Sequence, residues 1–300
     1  MSLKNSSLRV AVCIGAISLV MASCSETPAP VKPVVAEENS GGSLDTNKLK
    51  QLKKIFFSIP SPVEMASVIE QNGYKFDASK LNPTSNVDKY TSEVKQAVNL
   101  GIYGADLSYA SIFDQKQITL EYFAAAQNLS KNLGIQEAID SKLIESLDRN
   151  QNDRDSMLNV ITTAYADLTD YLKENQRVEL SALMIAGGWI EALYIVTNYA
   201  QDGRPELRQR IAEQKYALND LLLYMEKFGE IDRLKEIKAD LAAVHQLYTS
   251  VVETPGKTVT SKEKDGTLVI SGGPTLTVDD ATVKAITAKA AELRNKYTSI

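Results

Sequence analysis

A long stretch that is almost free of proline most constrains the fold of this chain. Between Thr84 and Thr254 the one proline is Pro205, and it follows Gly203 at a point where a helix can begin. Proline suits the first turn of a helix but costs about 3 kcal/mol in its interior. The stretch can therefore form long, uninterrupted helices.

Apolar residues in this stretch recur at the spacing of one helix face. The three clearest stripes are Met157, Ile161, Tyr165, Leu168 and Leu172; Leu207, Ile211, Leu218, Leu221, Met225 and Phe228; and Ile231, Leu234, Ile237, Leu241, Val244, Tyr248 and Val251. Each stripe predicts an amphipathic helix packed against neighbours. Ser61, Pro62 and Glu64 form a capping box, and Gly73, Gly134 and Gly229 stand where helices should end.

These signals predict nine or ten helices, since some of the short segments can merge. The predicted spans are 45–58, 61–72, 86–100, 103–113, 116–133, 135–149, 152–174, 177–201, 205–228, 230–252 and 278–298. Residues 257–271 break the pattern and predict a short β-hairpin that turns at Asp265 and Gly266. Thr277 and Asp280 are expected to cap the last helix. We predict an all-α fold, with residues 45–300 as a single antiparallel multi-helix bundle; the alternative is an α-solenoid of helix pairs.

Two segments hint at an internal repeat. Residues 100–115 align with residues 186–201 through a shared glycine, an aromatic residue two positions later, a leucine and a final glutamine. Gly187 and Gly188 in the second segment each cost a helix up to about 1 kcal/mol relative to alanine. Either another helix approaches closely at these glycines, or the helix kinks beside a binding pocket.

The N-terminus has the order of a secretory signal. Lys4 and Arg9 precede an uncharged apolar run from Val10 to Val20, and small residues follow up to Cys24. The run is about half the length that a membrane span needs. Residues 1–24 resemble a bacterial lipoprotein precursor, with Met21 where that pattern prefers leucine. The resemblance implies that residues 1–23 are cleaved as a signal peptide and that Cys24 carries lipid, including palmitate, which anchors the chain to a membrane.

The segment after the cysteine is rich in Pro, Glu, Ser and Gly, so residues 24–44 are expected to form a lipidated, disordered tether. Cys13 would leave with the signal, and no cysteine would remain to form a disulfide. The net charge of −5 would fall to −7 once Lys4 and Arg9 are removed. This acidic balance argues against nucleic acid as a partner.

Two phrases of the repeat, YGADLSYAS and GGWIEALYI, resemble segments of uncharacterised all-helical lipoproteins of Bacteroidota. The resemblance implies helical content and a lipid-anchored position in the cell envelope, at the outer membrane. The periplasmic and surface faces both remain open. No activity follows from it.

The sequence lacks the motifs of most catalytic and cofactor-binding sites. The one histidine, His245, falls on an apolar stripe and is expected to be an interior residue, and Ala242 stands where a Glu-x-x-His metal site needs glutamate. The sequence has no Gly-x-Ser-x-Gly nucleophile elbow. Residues Pro255–Thr258 resemble the end of a phosphate-binding loop, but Val251 stands where that loop needs its first glycine, so we interpret them as a turn. We therefore expect no metal, no cofactor and no catalytic residue.

Carboxylates among aromatic residues are the best candidates for a ligand site. Asp106 lies one helical turn from two tyrosines, and Glu191 lies one turn before a third. The candidate residues are Tyr103, Asp106, Tyr109, Trp189, Glu191 and Tyr194. The alternative is that the tyrosines fill helix interfaces with their hydroxyls at the edge.

Three functions are compatible with these features. The first is a non-catalytic envelope lipoprotein that binds a protein or an envelope polymer. The second is a ligand-binding or transport accessory with an aromatic and acidic pocket, and the third is a hydrolase that uses paired carboxylates.

Overall fold

The computed structural model describes Ile59 and residues 61–139, 141–150, 153–200, 203–262 and 268–299. The described residues belong to one compact unit, which spans 42–300. The predicted signal peptide, the tether and the predicted helix at 45–58 lie outside the described residues.

Nine α-helices and four short strands make up the described part of the chain. The helices are α1 (Pro62–Gln71), α2 (Glu93–Ile112), α3 (Lys116–Asn132), α4 (Ser141–Asn150), α5 (Arg154–Glu174), α6 (Val178–Tyr199), α7 (Pro205–Glu226), α8 (Asp232–Leu247) and α9 (Asp280–Thr298). The strands are β1 (Val252–Thr254), β2 (Thr258–Lys262), β3 (Leu268–Gly272) and β4 (Thr275–Thr277). The prediction of an all-α bundle with one short hairpin is confirmed.

The predicted starts and stops agree with the structure at several helix ends. Ser61 Oγ accepts a hydrogen bond from Glu64 N at 3.3 Å, with Pro62 in the first turn of α1. Gly73, Gly134 and Gly229 all have positive φ angles just after helices, where glycine carries no steric penalty. The last helix differs from the prediction, because Asp279 caps α9 and accepts from Thr282 N at 2.7 Å.

The hairpin is a two-stranded antiparallel ribbon in two parts. Strand β2 pairs with β3, and β1 pairs with β4 nearer the helices. Leu276 in β4 is buried, and β4 packs against α7. The ribbon is therefore attached to the bundle through its base, which compensates for the marginal stability of an isolated hairpin. The predicted turn at 265–266 lies outside the described residues.

The structure does not contain the two separate helices predicted at 86–100 and 103–113. Residues 84–89 form a 3₁₀ turn, and one continuous helix, α2, runs from Glu93 to Ile112. The helix continues through Gly101 and Gly104. Gly101 lies where α2 packs against α6.

Helices α2 and α6 form the centre of the bundle and run in the same direction. Glu93 and Arg177 pair at 2.6 Å near their N-terminal ends, and the Tyr109 and Tyr199 hydroxyls meet at 2.5 Å near their C-terminal ends. Most residues of α6 are apolar, and nearly all of the helix is buried inside the protein. Among the described helices it alone is long and apolar enough to cross a membrane, and its burial is that of a core helix.

Glycines allow the two central backbones to touch. A Cβ added to Gly101 would overlap the carbonyl oxygen of Met184, and one added to Gly187 would overlap the carbonyl oxygen of Val98. A Cβ added to Gly188 would lie 3.3 Å from the carbonyl oxygen of Gly101. Of the two explanations for Gly187 and Gly188, the structure therefore supports close approach of another helix.

These contacts are reciprocal in the way that an internal repeat predicts. In the alignment of the two repeat segments Gly101 corresponds to Gly187, and Val98 corresponds to Met184. The neighbouring helices are also reciprocal: α1, which precedes α2, packs against α6, and α5, which precedes α6, packs against α2. The two halves of the central contact thus have matching positions in the two aligned segments.

The glycine contact gives the first testable prediction. Gly101→Ala should lower the free energy of unfolding by about 3 kcal/mol, because its methyl group collides with a rigid backbone carbonyl. Gly104→Ala on the same helix is the matched control. Its Cβ would meet Tyr165 at 3.9 Å, so the variant should be neutral or up to about 1 kcal/mol more stable. Urea unfolding of both variants measures the difference, and equal stabilities would contradict the backbone contact.

Candidate functional site

Two acidic side chains meet in the interior, C-terminal to the glycine contact. Asp106 on α2 and Glu191 on α6 are each 0% exposed. Their carboxyl groups lie within hydrogen-bonding reach of each other. We refer to Asp106 and Glu191 as the carboxyl pair.

Helix α9 supplies the cation that faces the carboxyl pair. Arg294 Nε donates to Glu191 Oε2 at 3.3 Å, and the Arg294 side chain is 13% exposed. The guanidinium also lies over the Tyr194 ring, 4.8 Å from its centroid, and its Nη2 donates to Lys80 O at 3.5 Å. One arginine thus connects α6, α9 and the segment before α2.

The segment between α1 and α2 covers the carboxyl pair from the other side. Asn82 N donates to Asp106 Oδ2 at 3.1 Å. Tyr122 OH donates to Asn82 O at 2.9 Å, and Tyr103 OH donates to Pro83 O at 3.0 Å. We call residues 77–92 the strap, because polar side chains from the bundle hold its backbone in place.

The strap is also connected to the end of α9. Asn82 Nδ2 donates to Tyr90 OH at 3.0 Å and to Asn99 Oδ1 at 3.2 Å. Asn99 Nδ2 in turn donates to Tyr297 O at 2.9 Å. A single polar network thus runs from α2 through the strap to α9, and it satisfies groups that would otherwise be costly to bury.

Two atoms of the carboxyl pair lack a partner. Asp106 Oδ1 and Glu191 Oε1 are buried and receive no hydrogen bond from any donor among the described residues. Burial, reinforced by the nearby Glu191 charge, raises the pKa of Asp106 well above its ordinary value. Burial also raises the pKa of Glu191, although Arg294 opposes that shift.

The structure brings together four of the six predicted site residues. Asp106, Glu191 and Tyr194 lie around Arg294, and Tyr103 lies near Asp106 with its hydroxyl bonded to the strap.

The other two predicted residues serve different places. Tyr109 belongs to a separate aromatic cluster, where its ring stacks on Phe76 at 5.2 Å. Its hydroxyl accepts from Asp77 N at 3.0 Å. Trp189 Nε1 donates to Gln214 Oε1 at 3.0 Å, which ties α6 to α7. The six residues therefore do not form one pocket.

Sequence reasoning missed the polar residues that complete the network: Asn82, Tyr90, Asn99, Tyr122 and Arg294. Arg294 lies beside Leu293 at the edge of the apolar face of α9, where a long cationic side chain can reach inward. Asn82 stands before Pro83 in an irregular segment, and no periodic pattern marks it.

The expectation for His245 is wrong in part. Its side chain is only partly buried at the end of α8, because it lies on the flank between Leu241 and Tyr248 rather than between the helices. Among the described residues no group of three or more His, Cys, Asp or Glu side chains could hold a metal ion.

The larger cavities lie away from the carboxyl pair. An open groove of about 550 Å³ runs between α4 and α5. A smaller cavity of about 160 Å³ lies between α1, α5 and α6 and includes Trp189, Tyr165 and Ile161 in its wall. Neither is lined by Asp106 or Glu191, so the carboxyl pair does not face an open cleft in either one.

Comparisons with protein-family models, with curated proteins and with solved structures gave no match to this chain.

The carboxyl pair gives the second prediction. Arg294→Met should lower the free energy of unfolding by about 3–5 kcal/mol, because it leaves buried carboxyls without their cation. Arg154→Met is the control, since Arg154 and Glu70 form a surface pair at 3.4 Å whose loss should cost less than about 1 kcal/mol. Thermal or urea unfolding measures both, and a similar small loss in the two variants would contradict a structural role for Arg294.

Proposed function

We propose that the chain is a non-catalytic, lipid-anchored envelope protein whose helical domain binds a protein partner. The observation that carries the proposal is the open groove between α4 and α5. It has a volume of about 550 Å³, and its chemistry differs from that of the sealed carboxyl pair. Its lining residues are Glu137, Ala138, Leu143, Ser146, Asn159, Val160, Thr163, Ala164, Asp167 and Tyr171.

The lining of this groove matches a peptide segment that is apolar on one side and basic on the other. Leu143, Val160 and Ala164 provide apolar surface, and the charged residues of the lining, Glu137 and Asp167, are both acidic. A groove of this kind accepts an amphipathic segment whose apolar face lies on the floor. The acidic rim favours lysine or arginine at the edge of that segment through charge complementarity.

The carboxyl pair supports a structural role better than a catalytic one. Paired carboxylates in glycoside hydrolysis must reach a substrate and water. Asp106 and Glu191 are fully buried, and the strap and Arg294 cover them. The hydrolase hypothesis would require the strap to leave, so the binding function is preferred.

The cavity beside Trp189 favours a second candidate, which is capture of a small apolar ligand. Its wall combines apolar side chains such as Ile161 and Ile185 with the ring of Tyr165. At about 160 Å³ it is smaller than the 300–1,000 Å³ that is typical of ligand sites. The groove therefore remains the first choice.

The proposed membrane anchor gives the third prediction. Cys24→Ser should abolish incorporation of labelled palmitate and move the protein from the membrane fraction to the soluble fraction, because serine has no thiol to acylate. Cys13→Ser is the matched control and should keep both the label and the membrane position. Unchanged fractionation of Cys24→Ser would contradict the anchor.

The groove gives the fourth prediction. A photo-crosslinking residue at Thr163, which lines the groove and is exposed, should give one dominant protein adduct in intact cells. Reversing the rim charges with Glu137→Lys and Asp167→Lys should reduce that adduct roughly tenfold, the effect of about 1.4 kcal/mol of lost binding energy.

Two controls make this experiment specific. The same crosslinker at Ala242, which is exposed on α8, should not give the adduct, and Glu230→Lys at another exposed position should leave the Thr163 adduct unchanged. An adduct that forms equally from both positions, or that survives the rim reversals, would contradict a partner in the groove.

A further inference from the structure

The carboxyl pair is the strongest feature that the proposed function leaves without a role. Two carboxyl groups and one guanidinium lie together in the interior, and each carboxyl leaves one oxygen, Asp106 Oδ1 and Glu191 Oε1, without a donor among the described residues. With both carboxyls ionised, one negative charge would stay uncompensated at a fully buried position. An uncompensated buried charge is strongly destabilising.

We propose that Asp106 and Glu191 bind a single proton between Oδ1 and Oε1, and that this proton holds α2, α6, α9 and the strap together. The proton supplies the missing donor for both unpartnered oxygens at once. It also makes the charge count balance, because one remaining carboxylate then pairs with one guanidinium. No other described group is needed to complete the site.

The hydrogen bonds place the proton on Asp106. Glu191 Oε2 accepts from Arg294 Nε, which favours the ionised form of Glu191. Among the described residues Asp106 forms no ion pair of its own, and its Oδ2 accepts one hydrogen bond, from the backbone N–H of Asn82. A protonated Asp106 can therefore donate to Glu191 Oε1 while Oδ2 keeps its bond to the strap.

The groups around the pair do not offer an alternative charge. Burial raises the pKa of Tyr103 and of Tyr122, so both phenols stay neutral. Four tyrosines and one arginine face the pair. The tyrosines are Tyr103 on α2, Tyr122 on α3, Tyr90 in the strap and Tyr194 on α6, and the arginine is Arg294 on α9. Arg294 is the one cation in this group.

The bound proton makes the stability of the domain depend on pH. A carboxyl whose pKa is higher in the folded state than in the unfolded chain holds more protons when folded. Its stabilising contribution is complete below the unfolded pKa and is lost as the pH rises through the folded pKa. Loss of the proton leaves a second buried negative charge, which should loosen the contacts of the strap and α9 with the central helices first.

The test compares the wild-type chain with Asp106→Asn, whose amide keeps the shape and can donate to Glu191 without titrating. Urea unfolding is measured from pH 5 to pH 8. The equilibrium constant for unfolding of the wild type should rise relative to that of Asp106→Asn by up to about tenfold per pH unit. Glu226→Gln at an exposed position is the control and should follow the wild type. Parallel wild-type and Asp106→Asn curves would overturn the proposal.

Two further measurements locate the proton and cover poor folding of the variant. Infrared spectroscopy of the wild type at neutral pH should show the C=O band of a protonated carboxylic acid, and Asp106→Asn should lose it. Glu191→Gln should be much less stable than Asp106→Asn, because it removes the anion that pairs with Arg294. A wild-type spectrum without that band would overturn the proposal even where neither variant folds.

Discussion

The direct backbone contact between α2 and α6 is the constraint on which the rest of the structure depends. Gly101 and Gly187 lie against main-chain carbonyls of the opposite helix, and any side chain at either position would force the helices apart. Close approach brings the flanking side chains of both helices into one narrow layer. Asp106 and Glu191 are in that layer, so the glycines that set the helix separation also determine how near the two acids lie.

Burial of two acids at the centre of an apolar bundle requires compensation from outside the central pair. Arg294 comes from the last helix and Asn82 from an irregular segment, and each supplies a donor to one acid. The network therefore joins residues that are far apart in the chain. The network stabilises the fold only when all of its members are in place, because a polar cluster with missing hydrogen bonds would be less stable than an apolar one. This requirement explains why the strap, which has little regular structure, has a defined place on the bundle.

The sequence could predict the helices because periodicity and proline placement are local signals. Pro205 and Gly229 mark helix ends within a few residues, and the glycines at 187 and 188 indicated either a close helix contact or a kink. The sequence could not identify the carbonyls of Val98 and Gly101 as the groups that these glycines meet. For the same reason it pointed to Asp106 and Glu191 but not to Arg294, since nothing local shows which helix will supply a counter-charge.

The buried acids and the proposed binding groove occupy different places relative to the two aligned segments of the chain. In the alignment of residues 100–115 with residues 186–201, Asp106 corresponds to Ala192 and Glu191 corresponds to Ala105, so neither acid has an acidic counterpart in the other segment. The carboxyl pair thus joins the two segments, because Asp106 belongs to α2 and Glu191 belongs to α6. The α4–α5 groove instead lies between these segments in chain order, outside the central pair of helices. A partner in that groove would contact α5, and α5 packs directly on α2, so the bound state would be supported by the helix that carries Asp106 without exposing the carboxyl pair.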